Sequence, residues 1–139
     1  MMINEMPKKD KRLCREFIHK GLEQECEKFV KSLQRAAGKA IPLEELNAPY
    51  SEENGWSVEG PWHKRYIQLF KMMKKFDSHI ADRYDNATGS HYLEIVEDLY
   101  FDGWLTDDDI KQFSEETRQD IERTKLLRET FQKNQAKKK

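Results

Sequence analysis

Apolar residues recur at intervals of three and four along four stretches of the chain, the period of a helix that buries one face. Nowhere do they alternate for the length of a strand. From Lys8 to Ala37 the stripe is Leu13, Phe17, Cys26, Phe29, Val30, Leu33 and Ala37. Gly21 interrupts it with a residue small enough to admit a neighbouring helix. Pro7 suits a first turn and Gly38 the left-handed residue after the last one. From Pro61 to about Asp85 the stripe is the most regular in the chain: Trp62, Tyr66, Leu69, Met73, Phe76, Ile80 and Tyr84. Asn86 to Gly89 reads as a break. A short third helix is expected after Ser90 as N-cap, with Leu93, Val96, Leu99 and Tyr100 inward and Gly103 ending it.

The fourth helix has the clearest entry signal. Thr106 stands as N-cap with Asp109 three residues on, and Leu105 and Ile110 are placed to close a hydrophobic staple. Asp107, Asp108 and Asp109 fill the first turn, where the helix dipole favours negative charge. The seam behind them is thin: Ile110, Phe113, Ile121, Leu127 and Phe131, with Thr117 and Thr124 in the gaps.

These elements predict an all-α fold, a helical bundle of three long helices and one short helix, forming one domain over residues 1–134. The helices are expected at about 8–37, 61–86, 90–102 and 106–133, followed by a frayed basic tail at 135–139. The core is expected to centre on Phe17, Phe29, Trp62, Tyr66, Phe76, Tyr84, Leu99 and Phe113, with Trp104 and Leu105 wedged at the elbow between the last two helices. The irregular connection 38–60 is long for a compact domain, with room for one helical turn at Leu43 to Leu46. Its Tyr50 and Trp56 stand among acids. They either cap the core from a crossover loop or form a partner-binding loop.

Composition narrows the function classes. Charged and apolar residues each make up 37% of the 139 residues, and 15 aromatics are too many for a wholly disordered chain. No apolar run is long enough to span a bilayer, and Met1 to Arg12 has no apolar stretch of a secretory signal, so no membrane partner is expected. Cys14 and Cys26, twelve residues apart on one helix, lie too far apart to pair with each other. A reduced, cytoplasmic protein is the expectation.

Charge is strongly segregated beneath a net −1: residues 1–40 sum to +4, 41–60 to −5, 61–89 to +3, 90–122 to −9 and 123–139 to +6. Blocks of this kind suit complementary faces within a fold or between subunits. The basic ends, Lys8, Lys9, Lys11 and Arg12 with Lys137, Lys138 and Lys139, are candidate phosphate contacts.

One stretch carries the letters of a metal loop. Asp98, Asp102, Gly103, Leu105, Thr106 and Asp109 fall where the calcium loop of the EF-hand family has its first, fifth, sixth, eighth, ninth and twelfth positions, and the stretch resembles that family. Tyr100 replaces the oxygen ligand at the third position and Asp109 the longer Glu at the twelfth. A helix stopped by glycine and restarted by a staple and capping box writes the same letters without a metal, and that reading is preferred. His79 and Asp82 project from different faces of their helix, and His19 is poorly placed for Cys14. No nucleophile elbow, phosphate-binding glycine loop or paired Glu-x-x-His motif is present. No catalytic, cofactor or metal site is therefore assigned. The expectation is a non-enzymatic protein–protein interaction or regulatory module, with a homodimer through the fourth helix suggested by its acidic start and basic end. The alternative is a nucleic-acid-binding accessory that uses the basic termini.

Overall fold

The computed structural model describes residues 6–47 and 60–137. Among them the chain is all-helical, with no strand: α1 (Lys8–Gly38), α2 (Leu43–Leu46), α3 (Pro61–Tyr84), α4 (Tyr92–Phe101), α5 (Asp107–Ile110) and α6 (Glu115–Lys137). The described residues group into two compact units, 6–26 with 80–137, and 27–47 with 60–79.

The first unit holds the buried core. Leu13, Cys14 and Phe17 of α1 meet Tyr84 at the end of α3, Leu93, Ile95, Val96, Leu99 and Tyr100 of α4, and Leu105, Ile110, Phe113 and Ile121. Gly21 does what its size suggested. A Cβ there would stand 2.7 Å from both methyl carbons of the buried Leu99, so any larger residue would have to displace that side chain or the helix that carries it. The Phe17 and Phe113 rings meet at 5.5 Å.

The path from α4 to α5 follows from local chemistry. Gly103 adopts a left-handed φ of 87°, which costs glycine nothing. Its amide donates to the Tyr100 carbonyl and the Trp104 amide to that of Leu99, which satisfies carbonyls the helix end leaves open. Thr106 and Asp109 then form the expected reciprocal capping box, and Leu105 and Ile110 are both buried as its staple. Trp104 is half-buried against the core.

Several boundaries differ from the periodic reading. The fourth helix is not continuous over 106–133: α5 is one turn, and Lys111 to Ser114 separate it from α6. Ser114 is the missed start signal, since Glu115 and Glu116 follow it in a first turn. Helix α6 continues through Lys137, past the expected fraying at 135. Ser90 does not cap α4. His91 holds that place, and the Ser90 hydroxyl lies 3.1 Å from His91 Nδ1 instead. Gly38 ends α1 as its last helical residue and has no positive φ. The single turn at α2 falls where the sequence left room for it.

In the second unit no described residue is buried. Phe29 stacks on Phe76 with centroids 4.1 Å apart, and Arg65 donates to the Ala37 carbonyl at 3.1 Å. Trp62 and Tyr66, expected in the core, are 65% and 64% exposed. The reason is partner count. A regular stripe marks a face able to be covered, and among the described residues of this unit only the last turns of α1 and the single turn of α2 accompany α3.

One polar contact closes the first unit across the length of the chain. Asp10, in the first turn of α1, is fully buried and accepts three hydrogen bonds: from the Ser114 amide at 3.0 Å, from the Ser114 hydroxyl, and from the Thr117 hydroxyl at 2.7 Å. Burial raises the pKa of this carboxyl, but the bonds from Ser114 and Thr117, with Lys9 nearby, outweigh it and hold the value below the ordinary aspartate range. A depressed folded pKa gives stability that is complete above the unfolded value of about 4 and drains as pH falls through the folded value. Asp10→Ala is therefore expected to cost about 3 kcal/mol in urea melts at neutral pH, because it orphans buried donors. The gap from the unaltered chain should narrow in acid, and a gap independent of pH would count against the charged form.

Candidate interaction surfaces

The acids of the calcium-loop-like stretch do not converge; each is engaged elsewhere. Asp98 pairs with Arg128 at 2.6 Å and Asp102 with Arg83. Asp109 closes the capping box and accepts from Lys20 at 2.7 Å, and its carboxyl is lowered because those bonds outweigh the rise from burial. Asp107 accepts the Tyr100 hydroxyl, and burial followed by this bond pushes the Tyr100 phenol up to about 12. Among the described residues no group of three or more His, Cys, Asp or Glu is arranged to hold a metal ion.

Buried polar groups outside this stretch are also satisfied within the fold. Glu25 is 4% exposed, accepts the Tyr84 hydroxyl at 2.6 Å and pairs with Arg83 at 3.2 Å. Arg83 thus bridges Glu25 and Asp102, tying the end of α3 to α1 and to the C-cap of α4. Burial, then Glu25, pushes the Tyr84 phenol well above its usual value. Cys14 is enclosed beside Met6, and burial raises its thiol to about 12, which keeps it protonated and poorly nucleophilic. Neither cysteine is in a disulfide. His79 lies 6.2 Å from the Phe76 ring, and Asp82 is exposed.

Of the candidate phosphate contacts, Lys8, Lys9 and Arg12 are exposed on the first turns of α1, with Lys11 half-buried among them. Lys138, Lys139 and the side chain of Lys137 lie outside the described residues, as do Tyr50 and Trp56.

Among the described residues two exposed apolar surfaces stand out; the sequence reading placed their Trp62 and Tyr66 in the core and Met73, Leu127 and Phe131 on helix stripes. The first is on α6. Helix α4 packs along α6 through Asp98 on Arg128, the Lys125 ammonium 4.3 Å from the Tyr100 ring centre, and Arg128 over Phe101. At 1.5 Å per residue, α4 is about 15 Å long and α6 about 35 Å, so α4 cannot cover the far turns. Leu126 and Leu127 stand on the turn that α4 touches through Lys125 and Arg128 but project away from that contact. With Phe131 they are 63–64% exposed, and Leu127 and Phe131 line an open groove with Phe101, Arg128 and Gln132.

The second surface is on α3, where Trp62, Tyr66, Phe70 and Met73 are 53–65% exposed. Phe70 lies outside the regular stripe and widens it. The signal that could have shown this face to be uncovered is charge, for residues 61–76 carry Lys64, Arg65, Lys71, Lys74 and Lys75 and no acid.

Among the described residues no helix is long and apolar enough to cross a membrane. Since the acids around Gly103 already have protein partners, millimolar calcium is expected to leave the thermal midpoint unchanged. A rise would show that the ion displaces those partners and binds the native state. Comparison with protein-family models, with curated proteins and with solved structures finds no match to this chain.

Proposed function

We propose that the chain is a non-enzymatic helical interaction module of the reducing cytosol, whose partner packs on the outer face of α6 and is, in its simplest form, a second copy. The observation that carries this reading is the exposure of Leu126, Leu127 and Phe131, which lie outside the contact that α4 makes with Lys125 and Arg128. Single exposed apolar residues are ordinary, but neighbouring ones beside a groove mark a contact surface. Charge favours self-pairing, because α6 opens on Glu115 and Glu116 and closes on Lys133 and Lys137. An antiparallel copy crossing at Leu126 and Leu127 sets residue 116 against residue 137, which carry opposite charges. Three side chains make a small interface, which fits a weak dimer rather than an obligate one.

A second reading, contact with nucleic-acid phosphates, rests on the exposed Lys8, Lys9 and Arg12. Sedimentation equilibrium from low-micromolar to near-millimolar concentration separates the two. The proposal expects concentration-dependent dimers that vanish in Leu127→Glu, with an unchanged thermal midpoint because that side chain is exposed. A strict monomer overturns the homodimer, and salt-sensitive binding of DNA or RNA by that monomer would favour the second reading.

A further inference from the structure

We propose that the first four turns of α3 form a binding face for an anionic lipid surface. Taking 100° per residue, the exposed Trp62, Met73, Tyr66 and Phe70 span an arc of about 80°. The exposed Lys74, Lys71, Lys64 and Lys75 occupy the next arc of about 100°. The remaining side carries Leu69 and Phe76, and Phe76 stacks on Phe29 of α1. Arg65, also on that side, is held by the Ala37 carbonyl. What faces outward is thus an apolar strip beside a cationic one on a single convex helix.

Three features select the occupant. No acid interrupts residues 61–76, so the five positive charges repel a second copy of the same face and attract an anionic surface. The exposed cations are all lysines, a type depleted at protein interfaces. Their flexible stems carry a point charge to headgroup phosphates while the adjoining apolar side chains enter the acyl boundary. The apolar residues include Trp, Tyr and Phe, the types that serve interfacial helices. No membrane partner was expected from the sequence, because no apolar run is long enough to span. A helix lying in the interface needs no such run.

This inference is independent of the α6 reading, since it uses a different helix and a different partner. It is tested with the full chain and phosphatidylcholine vesicles with or without one phosphatidylserine in three, by co-sedimentation. Binding is expected to the phosphatidylserine vesicles, little to phosphatidylcholine alone, and steep weakening in half-molar salt. The triple variant Lys71→Gln, Lys74→Gln, Lys75→Gln should lose on the order of 100-fold in affinity. Phe70→Ser should lose roughly tenfold. All these side chains are exposed, so circular dichroism melts should be unchanged in each variant. Failure to bind phosphatidylserine vesicles overturns the proposal, as does binding indifferent to Phe70→Ser. Non-binding to vesicles together with capture by an acidic protein surface would assign the face to a protein instead.

Discussion

The carboxylate of Asp10 is the contact on which the first unit depends. It sits in the opening turn of α1, wholly out of solvent, and its donors lie more than a hundred residues later at the start of α6. An unsolvated carboxylate is tolerable only when its oxygens are satisfied, and here three donors do so. The arrangement also explains why the chain breaks after α5. In an unbroken helix the Ser114 amide would be turned to the preceding turn, whereas here it points to Asp10 and leaves Ser114 to open a new helix. The junction of two short local motifs is thereby locked to the other end of the chain, and Phe17 and Phe113 are brought together beside it.

Much of this was written locally. The capping box of Thr106 and Asp109, the staple of Leu105 and Ile110, the stop at Gly103 and the small contact at Gly21 all involve neighbours in sequence or a steric need visible in one residue. What could not be read was which stripes find a cover. Trp62 and Tyr66 have the same spacing as Tyr84, yet Tyr84 is buried and they are not, because periodicity describes one helix and burial needs two. The Ser114 break was hidden for a related reason. Its signal, a serine before two glutamates, competes with an apolar spacing that Ile110, Phe113, Thr117 and Ile121 continue across it. Only the distant Asp10 decides between them. The metal-like stretch shows the reverse: its acids were legible as a motif, but their separate partners, Arg128, Arg83 and Lys20, come from three other parts of the chain.

The segregated charge has two consequences. Acidic blocks that fall within the folded core region are met internally by Arg83, Lys20 and Arg128. The basic start of α3 instead accompanies exposed apolar residues, so that surface combines apolar area with positive charge. A near-zero total charge conceals this, and so do helices each legible as amphipathic. In the proposed reading, recognition uses faces that the described elements leave uncovered.

The most direct test of the central claim is a double-mutant cycle on the buried carboxylate, with Asp10→Ala, Thr117→Val and both together, measured by urea unfolding at neutral pH. A shared hydrogen bond predicts a coupling energy of about 1 kcal/mol or more. Additivity within about 0.5 kcal/mol would show that Asp10 and Thr117 act independently, and would contradict the account of how the two ends of the chain are joined.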